Sequence, residues 1–401
     1  MEKSNIFDSA RDMASLIGLL PERNKRIKSA SDAPAPFDHV RDLASKLHPR
    51  RLELVISSVN YETPTTKSFI MKSADGAAEL PFFRAGQYLS LRSEVRGVSI
   101  SRPYSISSSP NDAVDGGFYQ ITINKKDGGF FTQHVWEEWE VGTKLTSSGP
   151  CGFFYYDDLR DSNEIIALAG GSGITPFRAM AKDIIENDLD VKMTLLYGIR
   201  LADEIIFDRE LQELAKQAPE KLSVHLVCSE PDEKWCGPTG FMSANCIREL
   251  AGDITGKTFF ICGPQAMYEF LKKELATFNL QHKHIRREVF GEIGDVTVFD
   301  SFPKELADKT FDLTVNIAGR KHTIPAKATE TVLVAMERAS LAPPSQCRSG
   351  ECGVCNSLLM SGDVFISPEN DGRRLAHKKF GFFHPCSSYP VSDMEIKVMR
   401  S

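Results

Sequence analysis

The sequence predicts a multidomain chain: a short helical N-terminal extension, an antiparallel β-barrel, an α/β domain with a parallel sheet, and a compact α+β unit at the C-terminus. Three observations predict it. Short β-rich runs crowd residues 51–157, as in small antiparallel barrels. Buried-strand runs then alternate with helical patterns over 158–292, the mark of a parallel sheet covered by helices. Last, three of nine cysteines fall within residues 347–355, inside the unit spanning 310–401.

Length and composition agree. A chain of 401 residues exceeds one ordinary core. An apolar share of 41% and a charged share of 25% suit a globular protein. The formal charge of −6 gives no whole-chain argument for nucleic acid. No apolar run reaches the roughly 18 to 20 residues needed to cross a bilayer. The residues before "MASLIGLL" mix acids with bases, so neither a secretory signal nor a membrane span is expected. Nine cysteines in this length are too sparse for a disulfide scaffold, which points to a reducing, cytoplasmic setting. Cys151, Cys228, Cys236, Cys246 and Cys262 are scattered and read as small core residues.

Residues 1–50 combine helical patterns with the polar stretch "KSASDAPAPFDHV". Ile6, Ala10, Met13, Ile17 and Leu20 recur near helical spacing and predict one amphipathic helix that docks on the main body or a partner. The barrel strands are read in "RLELVISSVNYET", "SFIMKS", "GQYLSLRS", "FYQITINKK" and "TKLTSSGP". The α/β domain runs from "EIIALAGG" through "KMTLLYGI", "LSVHLVCSE" and "TFFICGP" to "HIRREVFG". Residues 293–309 read as a polar linker, and "FDLTVNIAGRKHTI" opens the last unit.

In "LAGGSGITP", Gly170, Gly171 and Gly173 follow a buried strand and precede a helix. Such a turn is either a plain strand–helix connection or an anion site at free helix N–H groups. "ICGPQAM", with Cys262, Gly263 and Pro264, lies at a second strand's carboxyl end, where open α/β sheets bind ligands. Upstream, "RPYS" (102–105) offers an arginine fork, an aromatic face and a small hydroxyl, or simply a strand with a salt-bridged arginine. "KKDGGFFT" (125–132) adds backbone N–H groups and the Thr132 hydroxyl.

The cysteine spacing is C-x4-C-x2-C, with Cys386 a further 30 residues on. Structural zinc favours paired C-x2-4-C ligands, and a redox disulfide needs only two thiols. Cys347, Cys352, Cys355 and Cys386 instead match the plant-type [2Fe–2S] spacing. Four thiolates let each iron complete a tetrahedron with two sulfides, and Gly350 and Gly353 let the loop wrap tightly.

"RPYS", "GGFFT", "GPCGFF", "GGSGITP", "YGIR", "CGPQAM" and "EVFG", in this order over residues 50 to 292, resemble the ferredoxin–NADP reductase-type flavoproteins. "CRSGECGVC" with the late "CSSYP" resembles a plant-type ferredoxin of β-grasp fold over 310–401. The resemblance implies a flavin barrel (51–157), a nicotinamide domain (158–292) and a [2Fe–2S] domain. It implies that Arg102, Pro103, Tyr104 and Ser105 hold the flavin, while Lys125, Gly129 and Thr132 meet its pyrophosphate, which selects FAD over FMN. Gly171, Gly173, Thr175, Pro176 and Arg200 would line the nucleotide site, facing Cys262, Gly263 and Pro264. Glu288 and Phe290 of "EVFG", with Cys262, would stand at the hydride-transfer site.

Arg200 is followed by Asp203 and Glu204, and Glu230 succeeds the next strand. This acidic surround disfavours a 2′-phosphate, so NADH is expected in preference to NADPH. NADH releases two electrons as hydride, a [2Fe–2S] cluster accepts one, and a flavin handles both. The expected activity is therefore an NADH-dependent reductase that passes single electrons to a terminal acceptor protein, an oxygenase or another redox partner. With the ferredoxin last, the order resembles reductase components of multicomponent oxygenases such as phenylacetyl-CoA epoxidase, and the reductase of the hybrid-cluster protein. The interval before Cys386 is longer than in the electron-transfer subunit of class 1B dihydroorotate dehydrogenase. A redox sensor with incidental turnover, or a stand-alone reductase of a small molecule, are the other readings.

Overall fold

A computed structural model describes residues 6–30, 37–47, 49–77, 79–289 and 291–399. The chain divides into two units, Met1–Lys46 and Leu47–Ser401. The first carries α1 (Ile6–Lys28), which keeps Pro21 inside it. The following α2 spans His39–Leu47 and buries none of its residues. Ile17, Leu19, Leu20 and Ile27 are exposed, while the side chains of Ile6, Ala10 and Met13 lie outside those described.

In the second unit, β1 (Leu52–Thr63), β2 (Thr66–Ser73), β3 (Tyr88–Val95), β4 (Val98–Ser105), β5 (Phe118–Asn124) and β6 (Lys144–Ser147) form one antiparallel sheet. Their order is β4-β3-β6-β1-β2-β5. A bridge from Ile106 to Ile121 brings the end of β4 back to β5 and curls the sheet toward a barrel. The β3–β4 loop is Arg96-Gly97, both at positive φ (52° and 79°), the two-residue turn whose twist suits a tight hairpin. Alternation sends Leu54, Ile56, Leu89 and Leu91 inward, where all are buried. The interior closes with short α3 (Pro110–Val114) and with α4 (Phe130–Glu138), which contributes Phe131 and Val135 to the same core.

The next domain is a five-stranded parallel sheet, ordered β11-β10-β7-β8-β9. It comprises β7 (Glu164–Gly170), β8 (Lys192–Ile199), β9 (Leu222–Cys228), β10 (Thr258–Cys262) and β11 (Ile285–Glu288). Helices α5 (Thr175–Glu186), α6 (Asp208–Gln217), α7 (Ala244–Ala251) and α8 (Gln265–Ala276) cover its faces, as the separate clusters on either side of the sheet show. Strand order reverses between β7 and β10, so their carboxyl ends flank the crevice where such sheets bind ligands. Arg178 of α5 welds this domain to the barrel. It is buried, grips Glu210 with two bonds (2.7 and 2.8 Å), and donates to the Ser107 carbonyl on the barrel.

The C-terminal domain sets β12 (Thr310–Ile317), β13 (Arg320–Lys327), β14 (Ser357–Ser361), β16 (Phe382–Phe383) and β18 (Met394–Val398) in one mixed sheet, β13-β12-β18-β14-β16. Strands β15 (Val364–Ile366) and β17 (Ser388–Pro390) pair separately. Helix α9 (Val332–Arg338) packs on this domain, N-capped by the Thr331 hydroxyl, which accepts from Val334 N–H at 3.2 Å. A short helix, α10 (Leu375–Lys379), stands before β16. Residues 293–309, read as a polar linker, are packed instead. Val296 and Phe302 are buried with Ala328 and Tyr389, because the apolar residues spaced through the stretch meet this domain's outer surface.

Candidate functional site

Three sets of predicted residues meet around the barrel. Arg102, Pro103, Tyr104 and Ser105 form the end of β4. The Arg102 guanidinium lies 5.7 Å from the Phe131 ring centre, and Tyr104 lies 6.3 Å from that ring. Phe131 belongs to the first turn of α4, whose N-cap is Gly129. Strand β4 and the positive end of a nine-residue helix therefore converge, an arrangement that fits a flavin's pyrophosphate. "GGFFT", read as a turn, is thus a helix start. The Thr132 hydroxyl accepts from Lys126 N–H at 3.2 Å and so braces its own loop. Lys125 lies over Trp136, 5.8 Å from the ring centre.

The nucleotide turns abut. A side-chain carbon at Gly173 would stand 2.1 Å from the Cys262 carbonyl oxygen and 2.8 Å from the Gly263 Cα. One at Gly170 would meet the Met267 sulfur at 2.4 Å. Glycine is needed here for close approach of two backbones. A cleft of about 400 Å³ opens beside them, lined by Gly170, Gly171, Arg200, Glu204, Ser229 and Pro264 among others. Thr175 and Pro176 are buried in the first turn of α5 and do not line that cleft; the Thr175 hydroxyl donates to the Ser172 carbonyl (3.0 Å). Arg200 is held by Glu204 (2.6 Å) and faces Glu230 (3.7 Å).

Glu288 pairs with Cys262 across β11 and β10, and both side chains are buried. One carboxylate oxygen of Glu288 has no hydrogen-bond partner among the described residues. Burial, and then the neighbouring Glu351 and Cys347, pushes its pKa well above the carboxylate range. Burial likewise raises the Cys262 thiol. A side-chain carbon at Gly152 would lie 2.8 Å from the Tyr88 ring and 3.9 Å from Glu288, so these groups share one pocket. Tyr268, which the sequence did not single out, accepts from Gly263 N–H (3.1 Å) and donates to the Glu288 carbonyl, tying the two turns together. Phe290 lies outside the described residues.

The four predicted ligand thiols gather in overlapping pairs. Cys355 and Cys386 sulfurs are 3.4 Å apart. The Cys347 sulfur accepts from the N–H groups of Ser349 (3.5 Å) and Cys352 (3.4 Å), and Cys386 from that of Gly350 (3.3 Å). Hydrogen bonds from the Cys352 and Cys386 thiols push the Cys347 pKa far below the thiol range. Among the described residues no three metal-binding side chains close around a single point. Four gathered thiols, three buried and Cys352 exposed, with backbone N–H groups turned to the sulfurs, fit an iron–sulfur cluster. Gly350 and Gly353 sit at positive φ (86° and 74°), and a side chain at Gly350 would strike the Asn370 carbonyl at 2.4 Å. Of the five cysteines read as core residues, Cys228 and Cys262 are buried, Cys151 and Cys246 are half-buried, and Cys236 is exposed.

Arg348 is the residue that sequence reading passed over. Its side chain is wholly buried. It grips Glu337 of α9 (2.5 and 2.8 Å), pairs with Glu292, and reaches the Ser101 carbonyl of β4 (3.4 Å). Glu337 also faces Arg102 at 4.0 Å. Ser345 bonds Ser101, hydroxyl to hydroxyl at 2.6 Å, and Gln346 meets Ser90 and Cys151. The available signal was a charged residue inside a tight ligand loop.

Comparison with known proteins fits this geometry. Residues 54–156 match the oxidoreductase FAD-binding domain, 167–273 the oxidoreductase NAD-binding domain, and 315–391 the 2Fe-2S iron-sulfur cluster binding domain. The ferredoxin reductase component of 3-ketosteroid-9-alpha-monooxygenase from Mycobacterium tuberculosis is 30% identical over 358 residues, covering 85% of this chain and 94% of that protein. The glycine betaine monooxygenase reductase subunit of Chromohalobacter salexigens is 27% identical over 327 residues, covering 79% and 87%. Among solved structures, phthalate dioxygenase reductase superposes with a TM-score of 0.61 at 22% identity, covering 87% of this chain and 97% of that one.

Proposed function

Because the chain belongs to the family of flavin and [2Fe–2S] reductases that includes the ferredoxin reductase component of 3-ketosteroid-9-alpha-monooxygenase, we propose that it draws hydride from NADH and delivers single electrons to a partner oxygenase. One observation carries this reading. The cysteine loop and the Arg102 strand are bonded to each other, through Ser101–Ser345 and the Arg348–Glu337–Arg102 chain of charges. The two redox sites are therefore neighbours. FAD supplies the conversion of a two-electron donor into one-electron steps.

The chain's own residues divide the work. Arg102, Tyr104 and Ser105 orient the flavin on β4, with Pro103 keeping that strand end rigid. Gly129, Thr132 and Lys125 shape the pyrophosphate end at the α4 N-terminus. Gly171 lets NADH approach the backbone beside Pro264, while Gly173 and Gly263 let the two turns close on each other, with Thr175 and Pro176 behind them. Arg200, engaged by Glu204 and Glu230, leaves an acidic rim suited to a ribose hydroxyl and hostile to a 2′-phosphate. The buried Glu288 and Cys262 keep water from the transfer site. Cys347, Cys352, Cys355 and Cys386 bind the cluster.

All nine cysteines are free of disulfides, which suits the reducing cytoplasm. Among the described residues no helix is long and apolar enough to cross a membrane. The test is anaerobic mixing with NADH: flavin absorbance bleaches first and iron–sulfur absorbance follows. Cys352→Ser removes the second phase and the cluster's paramagnetic signal while leaving NADH–ferricyanide activity. A wild-type cluster that stays oxidised under NADH would sink the reading.

A further inference from the structure

We propose that the exposed face of α10, around Arg374, Leu375, Lys379 and Phe380, is the docking site for an electron acceptor with an acidic surface. This rests on the reductase reading above and adds where electrons leave. Asn370, Gly372 and His384 lie directly against the cluster loop. A side-chain carbon at Gly372 would stand 2.6 Å from the Gly350 carbonyl oxygen, and the His384 Nδ1 is 2.5 Å from that oxygen. From His384 the ring of His377, on α10, is 5.7 Å away centre to centre. Two imidazoles thus separate the cluster loop from the surface of α10, and tunnelling falls steeply with distance. The barrel covers another side of the loop, through Ser101, Ser90 and the buried Arg348. An acceptor is thereby kept from that side.

The exposed surface has a definite chemistry. Leu375 is 86% exposed and Phe380 64%, an apolar pair left in water. Arg373 and Lys378 are both engaged by Asp371 (2.8 and 2.9 Å). Arg374 and Lys379 make no ion pair among the described residues and stay exposed. In a chain of net charge −6, this is a local basic patch around an apolar centre. Charge complementarity selects an acidic partner and speeds its encounter, while the apolar pair supplies the contact that excludes water. Each NADH, becoming NAD⁺ and a proton, supplies two electrons and so reduces two acceptor molecules through this face.

The experiment uses the full holoprotein with two haem probes, acidic cytochrome b5 and basic cytochrome c, at low and high ionic strength. Arg374→Glu with Lys379→Glu should slow cytochrome b5 reduction roughly tenfold or more at low salt. The gap should close at high salt, with cytochrome c reduction unchanged or faster. NADH-driven bleaching of the cluster should stay within about twofold of wild type. Cytochrome b5 reduction indifferent to both charges, or an equal fall for both probes, overturns the proposal. So does a concentration-dependent dimer that the charge reversal dissolves without altering electron delivery. A wild-type cluster that never bleaches removes the reductase reading itself, whereas normal bleaching with charge-blind delivery removes only the docking face.

Discussion

Replacing Arg348 by methionine tests the coupling of the two redox sites most directly. The side chain is wholly buried and neutralises Glu337, whose side chain is 7% exposed, and Glu292, at 19%. Methionine keeps most of the volume and removes the charge. Glu292 reaches some water and can rehydrate. Glu337 cannot, and its other cation, Arg102, stands at 4.0 Å. Breaking one partner out of a buried pair costs about 3–5 kcal/mol, and the Arg102 contact puts the expected loss at the lower end, about 3 kcal/mol. For a unit the size of the C-terminal domain that corresponds to roughly 12 °C or more in melting temperature. Calorimetry of the holoprotein, read beside loss of iron–sulfur absorbance, measures it. The double variant Arg348→Met with Glu337→Gln should recover part of the loss, since the uncompensated carboxylate is gone. A melting point within about 2 °C of wild type, or strictly additive losses, would refute the argument. Flavin-to-cluster transfer in Arg348→Met should slow while hydride transfer from NADH does not.

Gly173→Ala forces a methyl to within 2.1 Å of the Cys262 carbonyl oxygen, backbone against backbone. NADH affinity measured by titration should fall at least tenfold and stability by about 1–3 kcal/mol, while Gly294→Ala, which meets nothing within 4 Å, should do neither. Glu288→Gln tests the buried carboxyl. Its folded pKa is raised, so the wild type pays no electrostatic cost below the unfolded value and loses stability as pH rises toward the folded one. The melting temperature of the variant should match wild type near pH 5 and exceed it increasingly toward pH 8; parallel curves would rule the raised pKa out. Glu230→Lys should raise kcat/KM for NADPH at least tenfold relative to NADH, because it converts the carboxylate facing Arg200 into a cation.

The strands were legible because alternation is local: Leu54 and Ile56 announce an inward face without reference to anything distant. The cysteine loop was legible because metal ligation dictates spacing. The start of α4 was not, since two glycines precede it and its apolar face is only Phe131 and Val135. Thr175 and Pro176 sit in the right motif, yet they support the turn from behind and do not face the cleft. The packed stretch 293–309 was misread for a similar reason. Val296 and Phe302 are buried only because Ala328 and Tyr389, far along the chain, come to meet them. Arg348 shows the same limit most sharply, as its partners Ser101, Glu292 and Glu337 come from three separate places in the sequence.

The meeting of the two glycine turns, Gly170–Gly173 against Cys262–Gly263, sets main chain on main chain, with Met267 laid over Gly170 and Gly263. A base so tightly closed has little room for exchange. Retuning of coenzyme choice in this protein is easiest at the lip, where Arg200, Glu204 and Glu230 are charged side chains paired with one another.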